Sequence, residues 1–148
     1  MSQKNFFDFN FESLKLFLNK DLEIEKKKVS MRSKQIWQSV YKKGFFDINN
    51  LTTFPLELRS KLNELISLQR PKIEKTQTSR DGTIKWLIKL FDGNEVECVY
   101  IPEKTRATLC ISSQVGCTLN CRFCHTGTQR LVKNLSFAEI VNQVMIAK

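Results

Sequence analysis

No stretch of this 148-residue chain approaches the roughly 18 uninterrupted apolar residues that a membrane-spanning helix needs, so no span is expected. The first ten residues, MSQKNFFDFN, have neither a basic n-region nor an unbroken apolar h-region, which argues against a secretory leader. Histidine is nearly absent, His125 being the single one. Cysteines number five, an odd count, and three lie so close together that pairing any two would close a very short loop. A disulfide framework is therefore a poor reading, and a reducing, cytoplasmic compartment is the natural one. Acidic residues are also short, with fifteen Asp and Glu against twenty-four Lys and Arg and a net charge of +9. Such an excess attracts polyanions, of which nucleic acid is the commonest inside cells, but a Lys- and Asn-rich composition also follows AT-rich codon use.

What is present is enough apolar material, 41% of residues, for one ordinary domain or two small ones. The first seventy or so residues read as short amphipathic helices. Leu14, Phe17 and Leu18 have helical spacing. Residues 30–43 form the next helix, with Ser30 as N-cap, an apolar face of Ile36, Trp37, Val40 and Tyr41, and Gly44 at the C-terminal glycine position. Pro55 opens a third helix in which Leu58, Leu62, Leu65 and Ile66 recur up to Leu68, and Pro71 closes it. The run Glu-Ile-Glu-Lys-Lys-Lys at 23–28 reads as an exposed connection. Aromatic residues at helical spacing are more often core than a nucleic-acid grip, although Lys34, Lys42 and Lys43 lie near Trp37 and Tyr41.

From residue 72 the pattern turns to strands. Residues 73–78, 84–91 and 96–101 are β-rich and are separated by the turn signals Arg80-Asp81-Gly82-Thr83 and Asp92-Gly93-Asn94, which predicts a three-stranded antiparallel meander. After Pro102 and a charged turn, residues 107–111 read as a buried strand that delivers a cysteine loop at its C-terminal end. In that loop Cys117, Cys121 and Cys124 have the spacing C-x3-C-x2-C. Three thiolates on a 4Fe-4S cluster leave one iron without a protein ligand, open to a chelating cofactor or substrate. Ser136 and Glu139 then match a capping box, followed by Ile140, Val141, Val144 and Met145 at helical spacing. No C-cap signal precedes Lys148, which suggests a chain cut inside a helix and at the front of a longer protein.

The loop, with Phe123 at the aromatic position before Cys124, resembles the radical S-adenosylmethionine superfamily. Arg80-Asp81-Gly82-Thr83-Ile84-Lys85-Trp86, Val96-Glu97, Val99-Tyr100-Ile101-Pro102, the string from Arg106 to Cys117, Asn134-Leu135, Glu139-Ile140 and Gln143-Val144 are similar to that superfamily's bacterial RNA adenine C2-methyltransferases. The resemblance covers the whole chain in layout and is specific from about residue 79 to 147. It implies an α+β chain leading into α/β: a helical RNA-binding accessory domain at 1–71, an antiparallel β extension at 72–103, and the start of a truncated radical S-adenosylmethionine partial (β/α) barrel at 104–148. Cys117, Cys121 and Cys124 would ligate the 4Fe-4S cluster, with Phe123 beside it. S-adenosyl-L-methionine would bind the open iron and yield, on reduction, a 5'-deoxyadenosyl radical. In the family a methylated cysteine thiolate donates its carbon to C2 of adenine, and a second cysteine resolves the adduct through a transient disulfide. Cys110 matches that second cysteine and Glu97 the family's proton acceptor. The resemblance further implies 23S rRNA and tRNA as substrates, a flavodoxin-type electron donor, a monomer, and no membrane partner. The methyl-carrying cysteine has no counterpart here, so the 148-residue chain alone is expected not to turn over.

Other readings are weaker. A Cys3His zinc site would use His125, but its adjacency to Cys124 disfavours both binding one tetrahedral ion. Cys98 reads as a packing thiol, and Cys110 and Glu97 would receive equally plain readings if judged alone. A Cfr-like methyltransferase acting at C8, or a non-catalytic RNA-binding fragment of a disrupted gene, remain as functional alternatives.

Overall fold

The chain divides between Arg70 and Pro71 into two units, Met1–Arg70 and Pro71–Lys148, each packed mainly against itself. The structure, a computed structural model, describes residues 3–117 and 129–148.

In the first unit α1 spans Phe11–Lys20, capped by the Asn10 side chain, which accepts from the Ser13 amide at 2.8 Å. It buries Leu14, Phe17 and Leu18, the residues that the spacing singled out. Helix α2, Lys26–Trp37, starts before Ser30, so Ser30 is a helix-interior residue and not a cap. Glu25 occupies the cap position instead. Its carboxylate lies 3.0 Å from Lys27 and 2.9 Å from Lys28, so an acid at the positive end of the helix absorbs the lysine run. The expected connection at 23–28 is thus helical in its second half. The chain continues through a π-helical turn, Gln38–Lys42, and stops at Gly44, whose φ of +75° suits glycine. Trp37 and Tyr41 meet in a tilted contact 4.5 Å apart, and both touch the fully buried Phe6, so these half-buried rings pack onto the core.

Helix α3, Leu56–Leu65, follows Pro55 as expected but ends before Leu68. Ile66 turns extended, and β2, Ile66–Ser67, pairs in parallel with β1, Lys4–Asn5. Long-range pairing here overrides a helical sequence pattern.

The second unit is built on a sheet of β3 (Lys72–Thr78), β4 (Ile84–Lys89), β5 (Glu95–Pro102) and β6 (Ala107–Cys110), all antiparallel neighbours in that order. Both turn signals act as expected. Asp81 accepts from the Thr83 amide at 3.0 Å and Asp92 from the Asn94 amide at 3.0 Å, with Gly82 and Gly93 at positive φ. The meander has four strands, not three. Residues 107–110 form its exposed edge strand and are not a buried one, because the Glu103 amide donates to the Arg106 carbonyl at 2.8 Å and reverses the chain back onto β5.

One face of this sheet is apolar. Ile88, Leu90, Val96 and Cys98 cluster with Val115 and Leu135, and Trp86, Leu109, Ile140 and Ile146 pack against them. The last two belong to α4, Phe137–Ala147, whose capping box is complete: the Ser136 amide donates to Glu139 at 2.8 Å and the Glu139 amide to Ser136 Oγ at 3.3 Å. Before α4, the short strands β7, Gln114–Val115, and β8, Lys133–Asn134, pair antiparallel. Among the described residues no helix is long and apolar enough to cross a membrane.

Lys133 on β8 joins three elements. Its ammonium bonds Asp92 in the β4–β5 turn and, at 2.7 Å, Glu139 in the first turn of α4. The Lys133 hydrogen bond, with help from the Asn94 amide, holds the Asp92 carboxyl down at about 2. A carboxyl depressed below its unfolded value near 3.8 stabilises the fold above that value and loses the contribution as pH falls through about 2. Asp92→Asn is therefore expected to lower the melting temperature at pH 7, with the gap from wild type closing between about pH 4 and pH 2. A gap unchanged across that window in calorimetry would contradict the linkage.

Candidate functional site

The cysteine loop leaves and rejoins the fold at a close backbone crossing. Gly116 has φ +73°, and a Cβ placed on it would lie 2.1 Å from the Arg130 carbonyl oxygen. No side chain fits there, and the obstacle is backbone, which cannot swing aside. The Cys117 amide donates to the Gln129 carbonyl at 3.1 Å, the Val132 amide to Val115 at 2.8 Å, and the Leu135 amide to Ser113 at 2.9 Å. Residues 118–128 thus connect two stems held within hydrogen-bonding distance. Of the expected cluster set, Cys117 sits half-buried at the entry stem. Cys121, Phe123 and Cys124, and with them His125, lie outside the described residues.

The stem is fastened from below by α4. Gln143 is fully buried, and its amide spans one residue of backbone, Oε1 accepting from the Ser112 amide and Nε2 donating to the Ser112 carbonyl, each at 2.8 Å. Ser112 in turn donates its hydroxyl to the Glu97 carbonyl at 2.9 Å. This chain of bonds fixes the segment after Cys110 against β5. A second side-chain bond, from Gln114 Nε2 to Asn134 Oδ1 at 2.8 Å, ties β7 to β8.

Glu97 and Cys110 come together on the face of the sheet away from the apolar core. Cys110 is registered opposite Val99, and residues 97 and 99 share a face, so Glu97 and Cys110 are diagonal neighbours about 7–8 Å apart along the backbone. Cys110 is an exposed thiol. The Glu97 carboxylate is half-exposed and ion-paired with Lys85 at 2.9 Å. It also lines a polar cleft of about 290 Å³ with Leu87, Ser112, Gln114, Gly116 and Gln129, so that the acid and the base of the cysteine loop open onto one space. Cys98 belongs to the opposite face, fully buried in the apolar core, where burial first and the neighbouring Cys110 second push its thiol up to about 11. That is the packing role expected of it.

The donor set fits a three-thiolate cluster. One cysteine stands at the mouth of a loop whose stems are clamped together, and the other two are contained within that loop. A structural zinc site would instead call for two separated ligand pairs.

Comparison with known proteins finds curated relatives over most of the chain. The chain is 54% identical over 124 residues to the dual-specificity RNA methyltransferase RlmN of Rhodopseudomonas palustris strain BisA53, covering 80% of this chain and 31% of the relative. It is 56% identical over 117 residues to RlmN of Rhodospirillum rubrum, covering 79% and 27%. Over about four-fifths of its length the chain is similar to RlmN methyltransferases. It spans about a third of the length of these curated RlmN relatives. A radical SAM methyltransferase of known crystal structure from Sphaerobacter thermophilus superposes with a TM-score of 0.84 at 32% identity, over 97% of this chain and 41% of that one. No protein-family model matches the chain.

Sequence reasoning gave no role to Lys85, Ser112, Gln143 or Lys133, the first three entering only within the strings that carry the resemblance. A lysine in a strand or a glutamine in a helix carries no signal of its own, and only register and burial reveal what each holds. The two faces of the sheet give the sharpest test of the layout, Cys98 on β5 facing one side and Cys110 on β6 the other. Iodoacetamide at pH 8 is expected to alkylate Cys110 in the folded chain and to leave Cys98 unmodified, as read by peptide mass spectrometry. Equal labelling of both thiols without denaturant would contradict the assignment.

Proposed function

We propose that this chain carries the cluster loop and the acid/base side of a radical S-adenosylmethionine methyltransferase that modifies C2 of adenine in 23S rRNA and tRNA through a methyl-cysteine intermediate. The observation that carries the reading is the convergence of Glu97, Ser112, Gly116 and Gln129 on one cleft, with Cys110 a diagonal neighbour of Glu97. Cys117, Cys121 and Cys124 would hold a 4Fe-4S cluster, with Phe123 beside it. When bound, that cluster supplies one electron to S-adenosylmethionine and so opens the route to radical chemistry at an aromatic carbon that has no nucleophilic character.

The chain's own residues have simpler tasks. Glu97 accepts a proton from the modified base at its carboxylate, steadied through its backbone carbonyl by Ser112 and through its side chain by Lys85. Cys110 is exposed on the same face, where its thiolate would attack the sulfur of the methyl-carrying cysteine, so that an S–S bond forms as the S–C bond to the adduct breaks and the released carbon keeps the electron pair and takes up a proton. The methyl-carrying cysteine matches no position in this sequence. Gly116 and the paired stems keep the thiolate loop at the edge of the cleft, and β7 with α4 begin the partial barrel around it. The helical unit, the accessory domain of this reading, contributes RNA affinity, and electrons arrive from a flavodoxin-type donor in the cytoplasm.

Deleting the gene that encodes this chain is expected to abolish 2-methyladenosine in both 23S rRNA and tRNA, measured by nucleoside mass spectrometry. Retention of the modification would contradict the reading, and loss of 8-methyladenosine in its place would assign the protein to the Cfr-like group.

A further inference from the structure

The core-facing side of the β3–β6 sheet is apolar, but the other side is polar and exposed to half-exposed. Cross-strand register puts Gln77, Lys85, Val99 and Cys110 in one row on it, and Lys75, Leu87 and Glu97 in the next. Charge is graded across the strands. Lys72, Lys75, Lys85 and Lys89 stand on β3 and β4, whereas the acids Glu95 and Glu97 stand on β5. At the β3 irregularity Glu74 takes Lys72 at 3.1 Å and Lys89 at 4.0 Å, which leaves Lys75 and Lys85 as the positive strip nearest Glu97. Beside that strip lies an open polar cleft of about 400 Å³ lined by Gln77, Ser79, Thr83, Lys85 and Val99, offering an ammonium, an amide and the Ser79 hydroxyl, while the Thr83 hydroxyl donates to Asp81 at 3.1 Å. A lysine surrounded by hydroxyl and amide groups suits a phosphodiester, which accepts hydrogen bonds at several oxygens.

We propose that this sheet face seats the RNA strand, with the Lys75 and Lys85 strip and the Gln77, Ser79 and Thr83 cleft gripping phosphates while the base reaches β5 and β6. The proposal rests on the RNA-methyltransferase reading and adds to it where the backbone of the substrate lies. Scale supports the placement. Lys85 and Cys110 are two strands apart, about 10 Å, close to the reach of one nucleotide from phosphate to base edge. A phosphate held at Lys85 therefore brings its own base to Cys110 and Glu97. The Lys85–Glu97 ion pair does not oppose this, because both partners are open to water and such a pair exchanges readily for a phosphate contact. When the phosphate takes Lys85, Glu97 loses its partner at the moment a base arrives to give it a proton.

The test is fluorescence anisotropy of the full chain with a labelled RNA hairpin whose loop presents an unpaired adenosine, titrated across a series of salt concentrations. Lys75→Gln with Lys85→Gln is expected to weaken binding by about tenfold or more and to reduce the salt slope by about 1.5, the share of two phosphate contacts. Lys75→Arg with Lys85→Arg should restore both, and circular dichroism should show both double variants folded. An unchanged slope in a folded Gln variant would overturn the proposal while leaving the methyltransferase reading intact. A slope that falls only on Lys42→Glu with Lys43→Glu would overturn it equally, by placing the RNA on the helical unit. Failure of the wild-type chain to bind the hairpin would also refute it, whereas the methyltransferase reading is tested separately and fails on retained 2-methyladenosine in the deletion strain.

Discussion

The site depends on one steric constraint, the crossing of two backbone segments at Gly116. An added Cβ there would stand 2.1 Å from the Arg130 carbonyl oxygen, and the residue's φ of +73° is itself costly for any other amino acid. Only with glycine in place can the entry stem pass the exit stem closely enough for Cys117 to bond Gln129 and for Val115 to bond Val132. The loop that holds the remaining thiols is in this way closed at its base by protein alone. Such closure reduces the entropy a metal cluster must overcome when it gathers its ligands.

Around this crossing the bonds fall into two classes of strength. Gln143 is fully buried and satisfies both backbone groups of the part-buried Ser112, so losing it would leave them unpaired at a cost of up to about 1–3 kcal/mol each. The Lys85–Glu97 pair, half open to water, is worth about 1 kcal/mol or less. The frame that holds the backbone of Glu97 and of the segment after Cys110 is therefore firm, and the side-chain pairing of the carboxylate is exchangeable. The role proposed for Glu97, a carboxylate held in place yet released to a substrate, needs that combination. The Lys133 bridge adds a third fastening, between the β4–β5 turn, the exit strand and the α4 cap.

Much of this was legible in the residues. Turn chemistry at Asp81-Gly82 and Asp92-Gly93, the Ser136 and Glu139 box, Gly44 and Pro55 each act through local backbone preference, and each stands where its sequence signal put it. The departures have non-local causes. Ile66 leaves a helical pattern because β1 offers a parallel partner, and residues 107–110 join the meander because the Glu103 turn folds them back onto β5. Lys85 and Gln143 acquire meaning only through register and burial, which a linear reading does not contain. The spacing of Cys110 and Glu97 relative to Cys117 pointed to them by resemblance alone, and the fold supplies a physical reason to consider them together, since antiparallel register makes them diagonal neighbours on one face.

The central claim is that three thiolates of this chain hold an iron–sulfur cluster with one iron open. Anaerobic reconstitution of the chain with enriched iron and sulfide, followed by Mössbauer spectroscopy with and without S-adenosylmethionine, tests it most directly. About four irons per chain, with one site set apart from the other three when S-adenosylmethionine is added, is the result this account predicts. Fewer than about three irons, or a spectrum indifferent to S-adenosylmethionine, would contradict it.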